Sequence, residues 1–301
     1  MMHFKGLDLN LIVALDALLT HRSVTRAAQA LHLSQPAMSG SLARLRAHYD
    51  DQLLVRYGQE FRLTSVAEGL AGPIRSVLLQ MEAALDMKLS FDPSVSERNF
   101  VLMASDYISI VLISPTLQRL GQAAPGVTFN IVPFTQSPWQ ALERGDVDLL
   151  IIADNLVSAE QPFETLFDDE FVCLCWSEND RVDENLSVEQ FLSLGHVVCR
   201  YGNGEVSYIE EKFFRNAGYD RRIEVVASTF SEVPYFLVGT HRIAITHRKL
   251  AETFSRNMPL KFFEPPVAMP TVRQAMQWHS YRHNDPAIEW LREQLRIEAV
   301  R

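Results

Sequence analysis

The stretch SVTRAAQALHLSQPAMSGSLARLR, residues 23–46, leaves few folds open to the start of this chain. Val24, Ala27, Ala28 and Leu31 recur at i, i+3, i+4 and i+7, one face of a short helix with Ser23 as its N-cap. His32-Leu33 makes a turn. Ser34 caps a second helix, and Pro36 is tolerated in a first turn that needs no backbone donor. Met38, Leu42 and Leu45 form its inward stripe. The opposite face is Pro36, Gly40, Ala43 and Ala47, flanked by Ser39 and Arg44. An ordinary solvated face carries long Lys and Glu side chains, whereas this one is nearly all small. Small residues let a helix sit deep in a DNA groove, with Gln35 and Ser39 reaching base edges and Arg44 a phosphate. Gly40 costs about 1 kcal/mol of helix propensity relative to Ala. The alternative is a helical hairpin whose outer face packs on another domain.

Overall acidity argues against a generic nucleic-acid coat, but the charge distribution does not exclude the DNA reading. The chain of 301 residues has a net charge of −9, yet residues 1–65 hold seven basic against five acidic side chains. That region is +2 and the remainder −11. Between Arg22 and Arg46 there are four arginines and no acid. A small basic head on an acidic body is compatible with DNA, which responds to the local field within about a Debye length. Upstream, Leu9, Ile12, Val13 and Leu19 build a helix to pack under the pair. Downstream, LLVRYGQEFRLT reads as strands at Leu53 to Arg56 and Phe61 to Thr64 around a Tyr57-Gly58-Gln59 turn. Those strands are a wing, and Arg56 and Arg62 are placed for phosphate. Three helices and a wing make a winged helix-turn-helix over residues 1–65. Its expected DNA-contact set is Ser23, Thr25, Ser34, Gln35, Pro36, Ser39, Gly40, Arg44, Arg56 and Arg62.

From Ala67 to about Leu89 the sequence reads as one long helix, a linker over 66–90. Leu70, Ile74, Val77, Met81 and Ala84 alternate spacings of four and three, a coiled-coil seam for a dimer. Gly72-Pro73 is a candidate kink. The alternative is a helix packed against its own domain. FDPSVSER, residues 91–98, is a hinge, because Asp92-Pro93 breaks the helix.

After Arg98 the pattern alternates between buried strands and helices. Strands are expected at Phe100–Ala104, Val127–Pro133, Val147–Ile152, Phe171–Trp176, Val197–Arg200, Ile223–Val226, Ile243–Thr246 and Thr271–Trp278. Helices fall at Ile108–Gly121, Pro138–Glu143 and Asp285–Arg296, among others. This argues an α/β effector domain over 99–301 with a largely parallel sheet. A small-molecule site in such a fold lies beyond the carboxyl ends of the strands. Ser105-Asp106-Tyr107 and Thr135-Gln136-Ser137 both sit between a strand and a helix. His196 begins a strand, Thr229-Phe230 ends one, and Gln277-Trp278 ends another. Phe230 and Trp278 offer aromatic walls; Thr135, His196 and Thr229 offer hydrogen bonds. Asp106 reads equally as a helix cap, and each of the others as core. His196 is a candidate for titration near neutral pH.

The chemistry of enzymes is not visible. Cys173 and Cys175 share one face of a strand and Cys199 lies on another, without partners at zinc spacing. They read as buried apolar thiols, with a redox switch as the alternative. An odd count of three cysteines fits a reducing compartment. Gly202-Asn203-Gly204 is a tight turn without a dinucleotide fingerprint, so no cofactor is expected. No nucleophile, base and orienting acid can be assembled, so no enzymatic activity is expected. The rival reading is an α/β solute-binding protein or enzyme with an incidental helical head. No apolar run of membrane-spanning length and no secretory leader is present, so a cytoplasmic protein is expected.

The run GLDLNLIVALDALLTHRSVTRAAQALHLSQPAMSGSLARLR resembles the N-terminus of LysR-type transcriptional regulators, through AAQAL, LSQPAMS and LARLR at this spacing. It is most similar to regulators of nodulation genes and of aromatic and nitroaromatic degradation. FDPSVSERNF, LFDDEFVCLCW, LSLGHV and HNDPAIEWLR extend the match along the chain. One departure is Ser65-Val66-Ala67-Glu68, where a Pro/Gly-containing turn is often seen; it leaves the start of the next helix open by a few residues. The resemblance implies two lobes like those of periplasmic solute-binding proteins. Lobe one is then 99–167 and 266–301, and lobe two 168–265. It implies binding to double-stranded promoter DNA as a homodimer or homotetramer paired through the linker helix. It also implies an aromatic inducer in the interlobe cleft, at the Ser105–Tyr107, Thr135, His196, Thr229-Phe230 and Gln277-Trp278 positions.

Overall fold

The computed structural model describes residues 3–4, 7–58, 60–85, 90–182, 186–200 and 209–301. The chain divides into two compact units, Met1–Met87 and Lys88–Arg301.

In the first unit a short pair, β1 (His3–Phe4) and β2 (Leu7–Asp8), precedes α1 (Leu9–His21). Asp8 caps α1 by accepting the Asn10 N–H at 2.9 Å. Leu11, Leu15 and Leu18 are buried and set its inward face. Val13, expected on that face, is 39% exposed, because it lies about 200° around the helix from Leu11. Helix α2 (Val24–Ala30) is capped by Ser23, and α3 (Gln35–Tyr49) by Ser34, whose hydroxyl accepts the Ala37 N–H. Met38, Leu42 and Leu45 are buried beside Ala27 and Ala28. The wing strands β3 (Leu54–Tyr57) and β4 (Glu60–Leu63) pair antiparallel, each shifted by one residue from its expected span. Asp51 Oδ1 accepts from the Leu53 N–H and the Thr64 hydroxyl, both at 2.6 Å, and so ties the two wing ends together.

Helix α4 (Ser65–Leu85) starts two residues before Ala67, because Thr64 supplies its cap to the Ala67 N–H. Its first half packs on its own unit: Leu70, Ala71 and Ile74 join the head core, and Arg75 pairs with Asp16 at 3.1 Å. Of the expected seam, Val77 and Ala84 remain exposed. The helix runs unbroken through Gly72-Pro73 as far as Leu85. The expected continuation to Leu89 lies outside the described residues, as does the Gly202-Asn203-Gly204 turn.

The second unit carries two five-stranded sheets. The first has the order β6-β5-β7-β14-β8, from β5 (Asn99–Met103), β6 (Thr128–Val132), β7 (Leu149–Ala153), β8 (Phe163–Asp169) and β14 (Val272–Gln277). The second has the order β11-β10-β12-β9-β13, from β9 (Phe171–Trp176), β10 (Gly195–Cys199), β11 (Arg222–Ala227), β12 (Ile243–His247) and β13 (Leu260–Phe263). The chain crosses between sheets at Asp169–Phe171 and returns between Phe263 and Val272. Both sheets are mixed rather than largely parallel. Strand β14 runs antiparallel to β7 and β8, and β9 antiparallel to β12 and β13. Each sheet takes in strands of chain arriving from the other lobe, and those strands point the opposite way.

The helices α5 (Asp106–Ile108), α6 (Ser114–Leu120), α7 (Pro138–Glu143) and α11 (Pro286–Ala299) belong to lobe one. Lobe two holds α8 (Val188–Ser193), α9 (Ile209–Asn216) and α10 (Arg248–Ser255). The single helix expected over 108–121 is interrupted by a π-helical turn, Ser109–Ile113. Pro115 follows at once; a proline there removes one i→i−4 bond and crowds the preceding turn, and a wider turn accommodates it. The expected hinge is anchored to lobe one. Phe91 lies 5.1 Å from Trp290, and Arg98 pairs with Asp285 at 2.8 Å.

Candidate functional site

The first unit presents the small face of α3 to solvent. Gln35, Pro36, Ser39, Gly40, Ala43 and Arg44 are all exposed. A Cβ on Gly40 would meet nothing within 4 Å. Among the described residues no packing therefore accounts for a glycine in mid-helix. Ser23 and Ser34 use their hydroxyls as caps, at 3.3 Å each, and Thr25 is exposed on the first turn of α2. Arg62 lies over the Tyr57 ring at 4.2 Å, and Arg56 donates to the Gly58 carbonyl at 3.1 Å, so both cations sit at the wing tip. Arg46, one of the three arginines of the opening stretch, turns inward. It donates to the Gln52 and Leu54 carbonyls at 2.8 and 2.9 Å and clamps the wing to α3.

The second unit holds a partly open cavity of about 70 Å³ between its lobes. Ser105, Tyr107 and Phe230 line it, as do Phe134, Phe171 and His247. The His247 ring stacks on Tyr107 (centroids 4.0 Å apart, planes at 11°) and on Phe171 (5.0 Å, 28°). Phe230 meets it edge-on at 5.5 Å. Tyr107 Oη donates to Asp169 Oδ2 at 2.6 Å, beside the crossing between lobes. Burial raises the pKa of both groups, Tyr107 strongly. Deeper in the wall, Arg221 pairs with Glu210, their side chains 4% and 13% exposed, and lies over the Phe214 ring at 3.9 Å. Burial pushes the Glu210 carboxyl up, with the attraction of Arg221 opposing it.

Several expected ligand contacts lie elsewhere. His196 is the second residue of β10, at the amino end of the sheet, and is wholly buried with Nε2 2.9 Å from the Phe191 carbonyl. Burial lowers its pKa to about 4, so it does not titrate near neutrality. Gln277 and Trp278 end a strand that runs antiparallel to β7, so Gln277 pairs with Leu150 in its amino half, away from the cavity. Gln277 instead donates to the Ser158 and Gln161 carbonyls, and Trp278 packs under Arg292 at 3.8 Å. Thr135 is exposed, and the Thr229 hydroxyl lies 3.1 Å from that of Ser231; their neighbours Phe134 and Phe230 face the cavity. Asp106 is neither a simple cap nor a lining residue. Its Oδ2 accepts the Ser231 N–H at 2.7 Å and fastens lobe one to lobe two. In Asp106→Ala this link is lost, and exchange of the Ser231 amide should accelerate at least tenfold in hydrogen-exchange measurements. Unchanged protection would show that other contacts hold the lobes together.

The sequence reading did not place His247 or Cys199 at the ligand site, although both line the cavity. The strand-end rule that selected Ser105 would have found both, since they close β12 and β10.

Residues 9–68 match the family described as bacterial regulatory helix-turn-helix protein, lysR family, and residues 95–299 match the LysR substrate binding domain. The chain belongs to the LysR family. It is similar to Nodulation protein D of Bradyrhizobium sp. (strain ANU 289), 43% identical over 99% of this chain and 88% of that protein. Nodulation protein D 3 of Rhizobium leguminosarum bv. phaseoli is 41% identical over 100% of this chain and 99% of its own. A probable transcriptional regulator of Pseudomonas aeruginosa superposes with a TM-score of 0.65 at 28% identity, covering 97% of each chain. Full-length OxyR of the same species shares the fold, with a TM-score of 0.75 at 19% identity over 98% of this chain and 96% of its own. This LysR-family chain is a DNA-binding transcriptional regulator with an effector-binding domain. Among its described residues no helix is long and apolar enough to cross a membrane.

The thiols of this LysR-family regulator are not activated. Burial holds Cys173 and Cys199 far above the ordinary thiol range and raises Cys175 to about 11. Thiolate is the reactive form, so the redox-switch alternative finds no support in their surroundings.

Proposed function

We propose that this regulator binds two half-sites of a promoter as a homodimer or homotetramer, and that an aromatic inducer in the interlobe cavity controls it. The observation that carries the reading is the aromatic lining: Tyr107, Phe171, Phe230 and Phe134 converge beside His247, close to the crossing between lobes. About 70 Å³ is half of the roughly 150 Å³ that takes up a benzene ring. A ring-bearing inducer therefore needs the lining to part, which favours one relation of the lobes over another. Such differential affinity is what a switch requires. The small face of α3 enters the major groove through Gln35 and Ser39, Arg44 meets phosphate, and the exposed Val77 and Ala84 of α4 serve pairing.

Operator affinity should fall steeply with salt, by about 10³-fold or more between 50 and 200 mM if six or more phosphates are contacted. Fluorescence anisotropy on the upstream region measures this. A flat salt response would count against groove binding. Phe230→Ala should lose the response to aromatic inducers, whereas Thr135→Ala, outside the cavity, should keep it. The reverse pattern would overturn the assignment of the site.

A further inference from the structure

The wall of the cavity holds a buried polar atom that the protein leaves unused, and a ligand reaches it once the lining parts. His247 is 6% exposed and lines the cavity, and its Nδ1 has no hydrogen-bond partner among the described residues. An unmade hydrogen bond in a dry interior costs free energy, so such groups mark places that something else completes. The ring stacks on Tyr107 and Phe171, which leaves its edge for polar contact. Burial lowers its pKa to about 3, so near pH 7 the imidazole is neutral and offers a lone pair or an N–H rather than a charge.

The charges of the wall are already matched. Glu210 and Arg221 neutralise each other, and Glu211 is held by Arg200 at 2.7 and 3.2 Å. Among the described residues that line the cavity no other charged side chain is present. A carboxylate drawn into this space would lose its water and find no unmatched cation, at a cost that an uncharged group avoids.

We propose that His247 is the specificity-determining hydrogen-bond partner of an uncharged effector, and that the cavity rejects the carboxylate of an otherwise identical ring. The proposal rests on the reading of this cavity as the effector site.

The test titrates the full-length chain at pH 7.5 with methyl 4-hydroxybenzoate and with 4-hydroxybenzoate, a pair that shares ring and hydroxyl but differs in charge. Calorimetry should show binding of the ester at least tenfold tighter than of the carboxylate. His247→Phe keeps a stacking ring and should weaken the ester at least tenfold. His247→Asn, which returns a donor and an acceptor near Nδ1, should recover part of the loss. In the wild-type chain labelled with ¹⁵N-histidine, the ester should move the His247 imidazole resonance, a readout independent of how the variants fold. A carboxylate bound as tightly as the ester, or an unmoved resonance on ester binding, overturns the proposal and leaves the effector cavity standing. Binding of neither probe overturns both.

Discussion

Acidification from pH 7 to pH 5 is expected to cost the effector unit about 4 kcal/mol of stability, through two buried histidines. His196 and His247 are 0% and 6% exposed, and burial lowers their pKa values to about 4 and about 3. In the unfolded chain each titrates near 6.5. Their neutral burial therefore supports the fold fully above that value. Support is lost as pH falls from there toward the folded values, because the unfolded state takes up protons that the folded state refuses. Each histidine loses about 2 kcal/mol over this span. Asp169 and Glu210 lean the other way. Burial raises their pKa values, so acid protonates them first in the folded state and offsets part of the loss. All four tryptophans, at 139, 176, 278 and 290, lie in this unit, so urea unfolding followed by tryptophan fluorescence reports it directly. The His196→Gln, His247→Phe double variant should show a flatter dependence. Equal unfolding free energies at pH 5 and pH 7 in the wild type would remove the histidines as its cause.

Gly40→Glu is expected to lower operator affinity at least 100-fold with the head still folded. The position is exposed, and among the described residues nothing lies within 4 Å of an added Cβ, so the substitution starts without a clash. Placed against duplex DNA, the new carboxylate faces phosphate, and juxtaposed like charges cost several kcal/mol. Gly40→Ala separates the two roles of the site. It should stabilise the free head by about 1 kcal/mol through helix propensity, because nothing resists the added methyl. Thermal unfolding and gel retardation on the same preparations give both answers. Wild-type affinity in Gly40→Glu would mean that this face of α3 does not enter the groove.

The reading head was legible because its determinants are local. Ser23 and Ser34 sit where caps belong, Met38, Leu42 and Leu45 recur at helical spacing, and the small outer residues follow from the same periodicity. The strand β8 was not legible: FETLFDD carries three acids and was not among the expected strands, yet it pairs with β14 from Phe163 to Asp169. Nor was the path of β14, whose antiparallel direction sends Gln277 and Trp278 to the end of the sheet away from the cavity.

Local spacing by itself determined where the helices of the head begin and end and which of their faces is free, because those properties depend on residues within a turn or two of each other. The cavity was decided only by tertiary structure. His247, Tyr107, Phe171 and Arg221 come from distant parts of the chain, and two crossings between lobes bring them together. The same crossings bury His196 in the core of lobe two and put His247 at the cavity wall, two histidines that sequence spacing could not tell apart.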